Sequence, residues 1–294
     1  MKLYSPTVIT ALKEKHGFKI SKSLGQNFLT DQNIIDKIVE GAEVCDEDLV
    51  IEIGPGMGVL TMALAEQAGK VIAVEIDRNL IPILSDTLKE YDNIEIIQGD
   101  ILKQNLNDII QQHLTASGKD DFKTENVKIV GNLPYYITTP VIMKILEEKT
   151  KAKSLTVMMQ KEVAERINAK AGTKAYGAIT VAINYYCTVH HVSDVSRTVF
   201  YPKPNVDSQV LRLDIRETPP VSLIDDSVFF ACIKAGFGQR RKTLLNSLTG
   251  INGLDKSAAL EVLQNAGIDP MRRAETLNIE EFATLANCVA NYKQ

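Results

Sequence analysis

Five short apolar runs, separated by helix-patterned segments, constrain this chain more than any other feature. Residues 49–53, 71–74, 94–97, 127–130 and 155–159 are β-rich and apolar without alternation. A strand that is apolar on both sides has to be covered on both sides, which is the situation inside a parallel sheet. Between the runs lie amphipathic segments. Asp31 precedes Ile34, Ile35, Ile38 and Val39 at helical spacing, so an Asp-capped helix is expected there. Residues 59–68, stopped by Gly69, and residues 79–89 and 140–148 also read as helices. This alternation implies an α/β fold, a doubly wound sheet with helices on both faces and right-handed crossovers. Two later runs, 189–192 and 210–215, are expected to close the sheet with an antiparallel edge. The polar stretch 116–126 reads as a surface loop before the fourth strand.

The pattern changes at Thr218-Pro219-Pro220. Beyond it only helical periodicity remains, at 229–237, 243–248, 257–266 and 280–292. The expected organisation is therefore an α/β domain over 1–216 and a small all-helical domain over 217–294, with the prolines as linker. With 294 residues, 45% of them hydrophobic, the chain can fill both cores. It has no apolar run of the roughly 18 residues that a membrane-spanning helix needs. Its first 15 residues carry charges throughout and lack the apolar centre of a secretion signal. The four cysteines, Cys45, Cys187, Cys232 and Cys288, are far apart and form no CxxC pair. Reduced thiols in a cytoplasmic protein, without disulfide or zinc, are the expectation. His190 and His191 point to opposite faces if they lie on a strand, a poor arrangement for a metal.

The first strand runs into Glu52-Ile53-Gly54-Pro55-Gly56-Met57-Gly58. Glycines at a strand-to-helix turn let a ligand lie against bare backbone. Glu75 ends the second strand, where a carboxylate can accept from both ribose hydroxyls of an adenosine. Asp100 ends the third, above the same crevice, where it can accept from an adenine amine; Ile76 and Ile101 flank these two acids. Two cofactor classes use this layout. A dinucleotide site prefers GxGxxG and holds its pyrophosphate on the helix N-terminus. Here the spacing is GxGxG, Glu52 places an acid at the strand end, and Pro55 removes an amide donor. These features favour S-adenosylmethionine, a cationic sulfonium with an amino acid tail, over a nicotinamide dinucleotide.

The fourth strand ends in Asn132-Leu133-Pro134-Tyr135. The exocyclic amine of adenine is a poor nucleophile because its lone pair is delocalised into the ring. Hydrogen bonds from N6–H to the Asn132 side-chain oxygen and the Leu133 carbonyl would hold that amine in an sp3-like geometry and free the lone pair for in-line attack on a methyl group. Tyr135 would stack on the extruded base.

With these motifs in this order, the chain resembles the ribosomal RNA adenine N6-dimethyltransferases along nearly its whole length. Ser23-Leu24-Gly25-Gln26-Asn27-Phe28-Leu29 is similar to the family's N-terminal cofactor motif. The resemblance implies that Asn27 and Leu29 contact the methionine side of the cofactor, with Gln26 and Phe28 nearby, and that Gly54, Glu75, Asp100 and Asn132 supply the remaining contacts. It also implies a Rossmann-like class I methyltransferase fold, and that Phe200 sandwiches the target adenine with Tyr135. Tyr136-Ile137-Thr138-Thr139-Pro140 and the segment from Phe237 to Leu248 look like the housekeeping KsgA/RsmA branch, which dimethylates two adjacent adenosines near the 3′ end of small-subunit rRNA. The resistance branch, which methylates large-subunit rRNA, typically has an asparagine after the tyrosine.

The substrate implied is a small ribosomal subunit precursor. The net charge of −4 and pI of about 5.7 are lower than nucleic-acid binding suggests. Basic residues are nevertheless clustered at Arg240, Arg241 and Lys242 and at Arg272 and Arg273, expected phosphate contacts of the helical domain. A monomer without a metal or a membrane association completes the reading. Two other roles stay open at this point: a resistance-type methyltransferase, and an assembly factor whose catalysis is secondary.

Overall fold

The computed structural model describes residues 3–116 and 126–292; most of the loop expected over 116–126 lies outside them. The α/β part begins with α1 (Pro6–Lys15), β1 (Phe28–Leu29), α2 (Gln32–Gly41), β2 (Leu49–Ile53), α3 (Val59–Ala65), β3 (Lys70–Glu75), α4 (Ile81–Thr87), β4 (Ile94–Gln98) and α5 (Leu106–Ala116). It continues with β5 (Val127–Asn132), α6 (Tyr135–Glu147) and β6 (Ser154–Gln160). Next come α7 (Lys161–Ile167), α8 (Ala178–Tyr186), β7 (Cys187–Val195), β8 (Phe200–Tyr201) and β9 (Ser208–Ile215). The chain ends with α9 (Asp226–Gly238), α10 (Leu244–Leu248), α11 (Lys256–Asn265) and α12 (Ile279–Tyr292).

Seven strands form one sheet in the order β4-β3-β2-β5-β6-β9-β7. All five expected parallel strands are present: β2 pairs in parallel with β3 and β5, β3 with β4, and β5 with β6. β9 runs antiparallel to β6, and β7 forms the edge beyond it. Every residue of the central β2 is buried, its apolar residues as a covered strand requires and Glu52 with them. The strand order reverses between β2 and β5, so the crevice beyond their C-terminal ends is the place where such folds hold ligands. The Asp31 cap is formed: its carboxylate accepts from the amides of Asn33 and Ile34.

Two expectations need correction. α6 starts at Tyr135 rather than near Pro140, which sits inside it. Proline lacks only its own N–H, and the first four N–H groups of any helix have no partner within it. Pro140 is the sixth helical residue, so it forfeits a single bond. The second correction concerns the boundary at 216/217. The chain divides into one unit of Met1–Ala164 with Val189–Ile215 and another of Glu165–Thr188 with Arg216–Gln294. α8 belongs with the C-terminal helices because its apolar residues enter their core. Val181 and Tyr185 are buried in the same cluster as Phe229, Leu263 and Phe282. The Tyr185 and Phe229 rings lie 5.2 Å apart, and Tyr186 stacks on Phe230.

The N-terminal segment, whose Ser, Lys and Gly content suggests mobility, carries an anchor that its composition hides. Ile9 and Leu12 of α1 and Phe18 are buried, and Phe18 meets Phe28 edge-on at 6.3 Å. Lys15 and His16 both reach the Asp86 carboxylate, at 2.6 and 3.2 Å.

Candidate active site

A cavity of about 240 Å³ opens at the C-terminal ends of β2, β3, β4 and β5. The glycine turn forms its floor. Gly54 and Gly56 take φ of +73° and +61°, a region unfavourable to side chains. A Cβ on Gly56 would also lie 3.1 Å from the Phe28 ring, so glycine is required there twice over. Gly58 departs from the expectation of a cofactor contact. It is the left-handed N-cap of α3, it does not line the cavity, and a Cβ there would press on Leu88 and Thr87. Its work is helix packing.

The acids gather as the strand ends predict. Glu75 accepts from the amides of Asp77 at 2.8 Å and Gly56 at 3.3 Å. Burial pushes its carboxyl up to about 7, against the pull of those two amides. Asp100 caps its own turn through the amide of Leu102 at 3.0 Å. Ile76, with 47% of its surface exposed, and the buried Ile101 face the same space. Glu52 is the anomaly. It is only 1% exposed, and neither carboxylate oxygen has a hydrogen-bond partner. Burial raises its pKa to about 8, with the nearby Thr61 hydroxyl, outside hydrogen-bond geometry, pulling it down and the charge of Glu75 adding a smaller push upward. A buried carboxylate without partners is costly, and a cationic ligand would remove that cost.

The lining contains Glu52, Glu75 and Asp100 but no lysine, arginine or histidine among the described residues. Such a lining repels a diphosphate and accommodates a sulfonium with an ammonium group. The residues therefore fit S-adenosylmethionine and not a nicotinamide dinucleotide. Glu52, Glu75, Ile76, Asp100 and Ile101 all line this one cavity and are the residues that would hold S-adenosylmethionine.

β1 and β8 pair antiparallel, matching Phe28 with Tyr201 and Leu29 with Phe200. This ribbon brings the N-terminal motif and the second aromatic, far apart in sequence, to one wall. Gln26, Asn27, Phe28, Leu29 and Phe200 all line the cavity. Asn132 Nδ2 donates to the Asn27 carbonyl at 3.2 Å, which fixes the amide and leaves Oδ1 as an acceptor. Leu133, Pro134 and Tyr135 follow on the same rim. The Tyr135 hydroxyl lies 2.7 Å from the hydroxyl of Ser208, a fully buried β9 residue that sequence reasoning missed because nothing local marks it. Burial also holds the Tyr135 phenol above its ordinary pKa, so it stays neutral.

A model of the family described as ribosomal RNA adenine dimethylase matches residues 17–291. The chain belongs to this family. It is thus an S-adenosylmethionine-dependent enzyme, an rRNA adenine-N6,N6-dimethyltransferase. The dimethylase is 51% identical over 290 residues to a Ribosomal RNA small subunit methyltransferase A of Alkaliphilus oremlandii, covering 98% of both chains. It is 49% identical over 288 residues to the protein of that name from Clostridioides difficile, covering 98% of this chain and 97% of the relative. Among solved structures it resembles a dimethyladenosine transferase from Plasmodium falciparum, with a TM-score of 0.72 and 27% identity over 88% of this chain and 95% of the other. The 23S rRNA methyltransferase ErmE matches with a TM-score of 0.66 and 26% identity over 90% and 99%.

The basic residues of the dimethylase's helical unit divide into two groups. Arg241, Lys242 and Arg273 are exposed. Arg240 instead donates to the carbonyls of Lys174 and Tyr176 at 2.9 and 3.0 Å and lies 3.4 Å from Glu275. Arg272 forks onto both carboxylate oxygens of Glu281, at 2.5 and 3.1 Å. Arg240, which is also exposed, and Arg272 thus already hold protein partners. His190 and His191 pair with different carboxylates, Asp214 and Asp194.

Proposed function

We propose that this dimethylase methylates the N6 amines of two adjacent adenosines near the 3′ end of 16S rRNA, on a small subunit still being assembled. The observation that carries the reading is Asn132. Its Nδ2 is held by the Asn27 carbonyl, which leaves Oδ1 as an acceptor, and Asn132 lines the cavity together with Leu133 and Tyr135. The names of the relatives at 49–51% identity support the small subunit.

When bound, S-adenosylmethionine supplies an electrophilic methyl group. The chain's own residues do the rest. Tyr135 and Phe200 take the flipped base between them, and the hydrogen bond to Ser208 holds the tyrosine ring in place. Asn132 Oδ1 and the Leu133 carbonyl accept the two amine hydrogens, which directs the nitrogen lone pair at the methyl. No general base has to act first, because the methylated ammonium sheds its proton readily. A second transfer needs the same geometry with one hydrogen bond fewer. Arg241, Lys242 and Arg273 supply phosphate contacts. The enzyme acts as a cytoplasmic monomer; the free thiols of all four cysteines support the compartment alone.

The test is transfer of labelled methyl to purified small and large subunits that lack adenine dimethylation. The expected product is N6,N6-dimethyladenosine in the small subunit alone. Label in the large subunit would favour the activity of ErmE, whose structure is similar, and no label in either would overturn the reading.

A further inference from the structure

Gln26 lies within the cofactor motif, yet both polar atoms of its amide have protein partners. Oε1 accepts from the Ser21 amide at 2.8 Å, and Nε2 donates to Asp77 Oδ2 at 2.7 Å. Asp77 is only 6% exposed. Its other oxygen accepts from the backbone and side-chain amides of Asn79 at 3.0 and 2.9 Å. Its own N–H donates to Glu75 Oε1 at 2.8 Å. A single residue therefore joins three parts: its carboxylate ties the turn after β3 to the segment 21–29, and its backbone N–H holds Glu75.

That segment is a wall of the cavity, which Leu24 to Leu29 line. One end of it is fixed by the β1–β8 pairing and by Asn132. Just before that anchor, Gln26 ties the segment to Asp77 and also holds the amide of Ser21 at its far end. We infer that the Gln26–Asp77 pair is a latch that keeps this wall closed over the bound cofactor. Both are positioning residues: they set how long the cofactor stays, and they do not touch the reacting atoms. The inference rests on assigning the cavity to S-adenosylmethionine.

Three variants test it: Gln26→Glu, Asp77→Asn, and the two combined. Gln26→Glu sets two carboxylates face to face. Asp77→Asn leaves the Gln26 amide with a donor opposite its own. In the combination the new amide at 77 donates to the new carboxylate at 26, while Ser21 keeps its acceptor. Three quantities are read: calorimetric affinity for S-adenosylhomocysteine, KM for S-adenosylmethionine against kcat on small subunits, and tryptic cleavage after the exposed Lys19 and Lys22 in ligand-free protein. Gln26→Glu is expected to weaken binding about tenfold, the usual scale for a hydrogen bond to a charged group. KM should rise in step while kcat changes less than about threefold. Cleavage should accelerate, and the combined variant should recover both binding and protection, which a variant that is merely misfolded would not. Losses that simply add in the combination, or single variants with native affinity and cleavage, would overturn the latch. Failure of the unaltered protein to bind S-adenosylhomocysteine would overturn the cofactor assignment and the latch with it.

Discussion

The cofactor cavity and the basic surface of the helical unit were both approached through sequence motifs, and they answered differently. In the cavity, acids at the ends of successive strands converge because a parallel sheet aligns its C-terminal ends; once the strands are placed, Glu52, Glu75, Asp100 and Asn132 have nowhere else to be. On the helical unit no such frame exists. Arg240 and Arg241 are neighbours in sequence and both are exposed, yet Arg240 also donates to the carbonyls of Lys174 and Tyr176. A guanidinium binds a carbonyl or a carboxylate as well as a phosphate, so a basic run does not declare which it serves. Sites defined by backbone topology can be read in advance, whereas sites defined by charge clusters cannot.

The largest effect should come from Asn132→Ala, which removes the directed acceptor. A fall in kcat of about 100-fold or more is expected, by analogy with the loss of one preorganised transition-state hydrogen bond. Single-turnover methyl transfer to small subunits measures it, and a near-native rate would break the claim that the cavity's geometry carries the chemistry. Tyr135→Ala should cost roughly 10-fold or more in kcat/KM through lost base stacking. Ser208→Ala, which frees the ring without deleting it, should cost about 3-fold, the scale of one weak hydrogen bond. A Ser208 effect equal to that of Tyr135 would mean that orientation, not stacking area, dominates.

The helical unit is tested by separating stability from salt dependence. Arg272→Ala should lower the melting temperature by roughly 3 °C, because it breaks a forked, half-exposed pair with Glu281 worth about 1 kcal/mol. Arg241→Ala and Arg273→Ala should leave melting unchanged, and each should reduce the salt slope of subunit binding by about 1. The reverse pattern would return Arg272 to the RNA surface.

The smallest effect is also the most specific. The folded-state pKa of Glu52, about 8, lies above the ordinary carboxylate value, so the ligand-free fold holds a proton there that the unfolded chain releases. Its stabilising contribution is present at low pH and declines as pH rises from about 4.5 through about 8. Glu52→Gln should flatten that decline in thermal melts without ligand, and it should also weaken S-adenosylmethionine binding above pH 8. A melting profile as steep as that of the unaltered protein would assign the proton elsewhere.

What the sequence left hidden has physical reasons. The strands were legible because double-sided burial leaves an unbroken apolar run. α8 was missed because Ala178–Tyr186 is apolar nearly all round, which erases the helical period. The Ser208 contact and the Gln26–Asp77 bond join residues 73 and 51 positions apart, and nothing in either local sequence announces its partner. The role of Gly58 differs from that of Gly54 and Gly56 although the three share one motif, because Gly54 and Gly56 lie in the turn that lines the cavity whereas Gly58 is already the N-cap of α3, packed on Leu88 and Thr87.

The division of the chain bears on how the protein is born. β9 sits between β6 and β7, so the sheet cannot be completed until residue 215 has been synthesised. α7 and α8 emerge before that point, yet the helices that cover Tyr185 and Val181 come from residues beyond 225. While the chain grows, the apolar face of α8 stays without its core partners until α9 and the helices after it have followed, an interval in which it is open to the misassociation that exposed apolar surface invites.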